Sequence, residues 1–235
     1  MSQEAQDAGI GDRDDPRGDY DGLVDVGGPA QTRVLPDATI TKLAVGPYNN
    51  NAYLLRCRRT GAALLIDAAA DPDRILDLLG DVDDLQVLTS HAHADHWQAL
   101  ESVVAATGAR TLAGRLDAPE IPVPTDRPLD DGDQVEVGDL RLRAIHLQGH
   151  TPGSIVTVYE DSSGTAHVFT GDCLFPGGVG KTWDDPQRFA SLYDGVVREL
   201  FDSLNDDAWV YPGHGADTTI GTERPHLAEW RDRGW

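Results

Sequence analysis

Residues 91–96 read His-Ala-His-Ala-Asp-His and follow directly on the apolar run Leu85-Gln86-Val87-Leu88-Thr89. Three imidazoles and a carboxylate in six residues restrict the fold, because the chain has to hold this loop where those side chains can converge. In an extended loop the side chains at 91 and 93 leave on the same side, so two imidazoles can reach one ion. Asp95 and His96 are then free to serve a second. Three of the chain's eight histidines fall in this stretch, which separates it from an ordinary polar surface loop.

The surrounding pattern is that of an α/β protein. Residues 39–45, 52–55 and 63–66 read as strands divided by Asn and Gly turns, and Asp67 ends the third. Residues 71–79 have helical spacing, with Ile75, Leu78 and Leu79 on one face, and lead into the strand that delivers the histidine loop. A helix is expected over 95–106 and a strand over 110–113. A Pro-rich connector, 119–128, then crosses the surface beside a possible cleft. Strands follow at 134–137, 140–146, 154–159 and 166–170, then a helix from 186 to 204 and a strand at 208–211. Two strand-rich halves with helices suggest two sheets between helical layers. Residues 1–34 are rich in Asp and Gly with little apolar periodicity and are expected to form an acidic, flexible arm. The domain proper is then 35–235.

With 40 acidic residues, 32 of them Asp, against 19 basic ones, the net charge is −21, and Lys42 and Lys181 are the only lysines. Such a surface repels phosphate backbones and argues against a nucleic-acid partner. It suits a soluble protein, of a kind adapted to high salt where screening weakens self-repulsion. Cys57 and Cys173 are the only cysteines, so no disulfide is expected and a reducing compartment fits. The start Met1-Ser2-Gln3-Glu4-Ala5 has no basic-then-apolar leader, and no segment approaches the length of a membrane span. The expectation is a cytoplasmic protein with no membrane partner.

Further ligand types sit beside glycine at the ends of strand-like runs: His150 in Gly149-His150-Thr151-Pro152-Gly153-Ser154, Asp172 in Gly171-Asp172-Cys173-Leu174-Phe175, and His214 in Tyr211-Pro212-Gly213-His214-Gly215. Glycine lets the backbone turn tightly enough to aim a short side chain inward. Taken singly, each reads as a turn. Together with residues 91–96, in this order, they resemble the metallo-β-lactamase-fold hydrolases over residues 38–235. Within that group they look most like the hydroxyacylglutathione hydrolases (glyoxalase II) in a short form without the C-terminal helical domain.

The resemblance implies a four-layer αββα sandwich and a dinuclear site. His91, His93 and His150 would bind one divalent ion and Asp95, His96 and His214 another, with Asp172 bridging them and Asp95 also orienting the nucleophile. Zinc leads, and the ligand types also accept iron or manganese. Ions about 3.5–4 Å apart can share a hydroxide of near-neutral pKa that attacks a thioester or related ester carbonyl. Lys181, in the glycine-rich loop after Asp172, falls where the family has a basic residue that meets a carboxylate of the thiol carrier. The substrate implied is a small molecule, a thiol conjugate. The glutathione clamp of the family is largely missing after His214, although the tryptophans of the closing segment 229–235 could cap the core or line the cleft. Competing readings are a mononuclear-iron persulfide dioxygenase using His91, His150 and Asp172, and β-lactam or lactone hydrolysis at the same site. Cys173 reads as packing beside the site, and His146, His167 and His226 as strand or surface histidines.

Overall fold

The computed structural model describes residues 20–234. The first half of the chain builds one sheet: β1 (Gln31–Val34), β2 (Ala38–Val45), β3 (Asn50–Cys57), β4 (Ala63–Ile66), β5 (Leu85–Thr89), β6 (Arg110–Gly114) and β7 (Arg127–Leu129) lie side by side in chain order. From β1 to β4 neighbours are antiparallel, and from β4 to β7 they are parallel. Parallel neighbours need crossovers, supplied by α1 (Pro72–Leu79) and α2 (Leu100–Thr107) on either side of β5.

The second half builds the other sheet from β8 (Gln134–Val137), β9 (Leu140–His146), β10 (Ile155–Glu160) and β11 (Ala166–Gly171). A short ribbon, β12 (Leu174–Phe175) with β13 (Gly178–Val179), precedes α3 (Pro186–Val196). α3 carries the chain over to β14 (Trp209–Pro212), which pairs parallel with β11, and β15 (Thr218–Thr219) closes that edge. α4 (Ile220–Glu223) and α5 (Leu227–Arg233) end the described chain. No helix among the described residues is long and apolar enough to cross a membrane.

The alternation of side chains along the strands sorts the apolar residues into three layers. Leu64 and Ile66 of β4 face inward, where they meet Leu142, Tyr159, Phe169 and Tyr211 of the other sheet. Ala63 and Leu65 face outward and pack under Ile75 and Leu79 of α1 and Leu100 and Val103 of α2. On the far side, Val156, Val168 and Val210 pack under Phe189, Leu192 and Val196 of α3 and Trp230 of α5. Strands buried on both faces read as near-continuous apolar runs, as β4 and β5 do. The αββα sandwich expected from the sequence is present, and Trp230 caps a core as one of the closing tryptophans was expected to do.

Three expectations change. Of the acidic arm over residues 1–34, residues 1–19 lie outside the described residues, but from Tyr20 the segment packs on the domain. Tyr20 and Val24 are buried and Gln31–Val34 adds the outermost strand of the first sheet, so the domain begins before residue 35. Scattered anchors hold this segment, Tyr20, Val24, backbone pairing and the Lys42 ammonium on the Gly22 carbonyl, and none of them leaves a periodic signal. The helix expected from Asp95 begins only at Leu100, because the N–H groups of Gln98 and Ala99 donate to the carbonyls of Ala69 and Ala68 instead of continuing a helical ladder. The helix from Pro186 to Leu204 is regular only to Val196 and widens into a π-helical turn over Val197–Phe201.

Leu64 is wholly buried between the sheets. Leu64→Ala is expected to lower unfolding free energy by about 2–5 kcal/mol through lost burial and a residual cavity, measured by urea denaturation.

Candidate functional site

β5, β11 and β14 end at one rim of the sandwich, the place where α/β sheets present ligand-binding groups. β5 delivers His91, His93, Asp95 and His96; β11 delivers Asp172; β14 delivers His214; and the loop from β9 to β10 delivers His150. All seven residues named from the sequence come together here. His93 Nδ1 lies 3.0 Å from His91 Nε2 and 2.9 Å from His150 Nε2, and the latter two nitrogens are 3.3 Å apart. A second group forms beside it, with His96 Nε2 at 3.2 Å from His214 Nε2 and Asp95 Oδ2 at 3.4 Å from the His214 nitrogen. Asp172 spans the two: its Oδ2 is 3.4 Å from His150 Nε2, and its Oδ1 is 3.4 Å from His96 Nε2 and 3.5 Å from His214 Nε2. Gly213 makes this approach possible, since a Cβ there would collide with Asp172 Oδ1 and His96 Cε1.

The outer hydrogen bonds fix where the ring protons are. His150 Nδ1 lies 3.0 Å from the Lys181 carbonyl and His214 Nδ1 lies 2.9 Å from the Tyr48 carbonyl. A carbonyl only accepts, so both Nδ1 atoms carry protons. His96 Nδ1 donates to Asp67 Oδ2 at 2.8 Å. The Ser90 hydroxyl gives its single proton to Asp67 Oδ2 at 2.8 Å, and therefore accepts from His91 Nδ1 at 3.0 Å. Four imidazoles thus turn Nε2 lone pairs toward the centre, and such outer partners are what orient metal-binding histidines.

Neutral rings facing one another at these distances repel through their lone pairs unless a proton or a metal cation lies between them. The electrostatics favour a positive charge at that point. Burial and the neighbouring imidazoles hold His91 well below the ordinary histidine range, and His150 down at about 4. Burial also opposes charge on His96, but Asp67, Asp172 and Asp95 outweigh it and lift that ring to about 9. Burial would favour a protonated Asp172, yet His214, His96 and His150 keep its carboxyl below the usual range. Asp172 Oδ1 is buried with no hydrogen-bond donor. Nitrogen and carboxylate donors arranged as two three-residue groups, His91-His93-His150 and Asp95-His96-His214, with Asp172 between them, are compatible with a dinuclear divalent metal site.

Sequence reasoning missed several supporting groups. Asp67, at the end of β4, is buried, takes the left-handed backbone conformation (φ 61°), and also accepts from the Ser90 N–H at 2.7 Å. Holding a non-glycine residue there costs about 1–3 kcal/mol, which the three bonds to its carboxylate offset. Asn50 donates to Asp95 Oδ2 at 2.9 Å. Asp117 ties the two ligand loops together, accepting from the N–H groups of Ala92 (2.9 Å) and Gly153 (2.6 Å) and the hydroxyl of Thr151 (2.6 Å). Trp183 stacks on His150 with ring centroids 5.4 Å apart, has the Arg188 guanidinium 4.3 Å above its ring, and still leaves 43% of its surface exposed. The Asp67 signal was available, a carboxylate closing a buried parallel strand. The others are common residue types in loops.

Lys181 is exposed, and it is its carbonyl that reaches the cluster through His150. Cys173 packs in the core beneath Asp172, His167 is buried against Tyr211, His146 bonds the Pro152 carbonyl, and His226 faces Glu229 on the surface. None of these joins the cluster.

A model of the metallo-beta-lactamase superfamily matches residues 45–214. The chain belongs to this superfamily. Among curated relatives of this superfamily member, hydroxyacylglutathione hydrolase of Rhodospirillum rubrum is 34% identical over 66% of this chain and 56% of its own length. The match therefore spans little more than half of that relative. Among solved structures, ETHE1 from Myxococcus xanthus is 30% identical with a TM-score of 0.70, covering 82% of this chain and 84% of that one. A structure solved in a di-iron-bound form is 32% identical with a TM-score of 0.64, covering 78% and 96%. The superfamily is one of metallohydrolases, and the metallo-beta-lactamase fold and the His/Asp cluster of this chain agree with membership.

Asp67→Asn leaves the His96 ring without its anionic acceptor. Metal affinity is expected to fall by about 10–100-fold, as for other outer-sphere partners, read by competition with a chromogenic chelator.

Proposed function

We propose that the chain is a dinuclear metallohydrolase that cleaves a thioester or related ester of a small thiol conjugate. One observation carries the reading: two groups of converging nitrogen and carboxylate donors share Asp172, whose two oxygens each face one group. Two divalent ions in such an arrangement supply a water of near-neutral pKa and an electrophile for the carbonyl. Zinc is our first assignment. The same donors accept iron or manganese, and a relative in this fold was solved in a di-iron-bound form.

The protein's own residues do the rest. Asp95, its carboxylate fixed by Asn50, stands at the open side of the cluster and orients the attacking water. Trp183 puts aromatic surface at the His150 end, and the Phe175 ring lies 6.2 Å from that of His214 at the other. Lys181, exposed in the loop after Asp172, is our candidate for meeting an anionic group of the thiol carrier. Relatives named hydroxyacylglutathione hydrolase support a thiol-conjugate substrate. Cys57 and Cys173 are unpaired, which suits a reducing compartment, and we place the activity in the cytoplasm.

The mononuclear-iron persulfide dioxygenase reading would use His91, His150 and Asp172, which also converge. The meeting of Asp95, His96 and His214 at a second point favours the dinuclear one. Purified protein is expected to hold two ions per chain and to hydrolyse S-lactoylglutathione, and His93→Ala and Asp172→Ala to reduce kcat/KM to background. One iron per chain with oxygen uptake on glutathione persulfide would replace this reading by the alternative. Metal-replete protein inert toward thioesters, esters, lactones and β-lactams would end it.

A further inference from the structure

Lys42 lies wholly buried in β2, an uncommon place for a lysine. Its ammonium has three protons, and all are used: on the carbonyls of Gly22 and Gly215 and on Asp217 Oδ1, each at 2.7 Å. The Asp217 side chain is buried in turn and takes two further donors on Oδ2, the Tyr20 hydroxyl (2.6 Å) and the Trp209 indole N–H (2.9 Å), while the Tyr53 hydroxyl oxygen lies 3.2 Å from Oδ1. Burial weakens the hold of Lys42 on its proton below the ordinary lysine range, and the opposed carboxylate offsets only part of that effect.

The loop this pair grips is the one that carries His214. The Pro212 carbonyl accepts from the Asn51 side chain and the Tyr53 hydroxyl, both at 2.9 Å, and the Gly213 carbonyl from the Asn51 N–H at 2.8 Å. The Gly215 carbonyl accepts from Asn51 at 3.0 Å as well as from Lys42. The opposite side is closed by the N-terminal segment: the Asp217 N–H donates to the Gly22 carbonyl at 3.1 Å, and a Cβ on Gly22 would stand 2.6 Å from that of Asp217. His91, His93 and His150 draw nothing from this network. Their supports are Ser90, the Lys181 carbonyl, and Arg188, which donates to the Gly149 and His150 carbonyls.

We propose that Lys42 and Asp217, completed by the segment Tyr20–Gly22, form a positioning device for His214, tightening the ion of Asp95, His96 and His214 without affecting that of His91, His93 and His150. The inference rests on the dinuclear reading above. It assigns the N-terminal segment a part in metal binding although it contributes no ligand.

The test is stepwise zinc titration against a chelator for the wild type and for Lys42→Met, Asp217→Asn and Tyr20→Phe, with circular dichroism to report folding. The ion of Asp95, His96 and His214, the second ion here, is expected to loosen by about 10–100-fold in Lys42→Met and Asp217→Asn, the range for outer-sphere partners, and less in Tyr20→Phe. The first ion should keep its affinity in all three. If the two buried-charge variants do not fold, Tyr20→Phe, which removes one hydroxyl and leaves the ion pair intact, carries the test alone. Equal weakening of both ions, or an unchanged second ion in folded variants of a two-ion protein, overturns the inference while the dinuclear reading stands. A wild type that binds a single ion overturns both.

Discussion

Four histidine rings whose protons are committed outward leave their remaining lone pairs aimed at each other. Asp67, Asp172 and Asp95 relieve part of that repulsion by favouring a positive charge on His96, and the rest of the structure holds the rings converged. The Lys181 and Tyr48 carbonyls, the Asp67 carboxylate and the Ser90 hydroxyl each hold one Nδ1 proton, and each holder sits on a strand end or a tight turn. The sandwich can therefore be read as a scaffold for keeping electron-rich nitrogens close together. That arrangement is unfavourable by itself and favourable around cations.

Ser90 and Asp67 show how little chain this takes. The hydroxyl lies between a carboxylate and an imidazole, and because it has one proton to give, its donation to Asp67 decides the tautomer of His91. The same carboxylate decides that of His96. Two rings on different turns of the loop are set by one aspartate in a strained backbone conformation. Strain at such a position is tolerated where surrounding bonds over-determine it.

The ligands were legible in the sequence because they are chemically rare and locally framed. His91 to His96 follow a strand without interruption, and His150, Asp172 and His214 each stand next to a glycine that permits a close approach. The two-sheet architecture was legible from the apolar runs of β4, β5 and β10. What was not legible depends on pairings distant in the chain. Asn50 and Asp117 are ordinary residues until the fold sets them against Asp95 and Thr151. The N-terminal segment looked like a loose arm since Tyr20 is its one aromatic residue and its partners, Asp217 and Trp209, lie almost two hundred positions away. The late start of α2 could not be seen either, because the acceptors for Gln98 and Ala99 are carbonyls of the loop after β4.

Each sheet is built from one contiguous half of the chain, β1 to β7 and then β8 to β11 with β14 and β15. The cluster lies on the seam, with His91, His93, Asp95 and His96 from the first half and His150, Asp172 and His214 from the second. Both proposed ions would draw donors from the two halves at once, so they would act on folding as cross-links that join distant parts of the chain. Neither half alone holds a complete donor group, so the metal-binding geometry exists only where the two halves of the chain are docked.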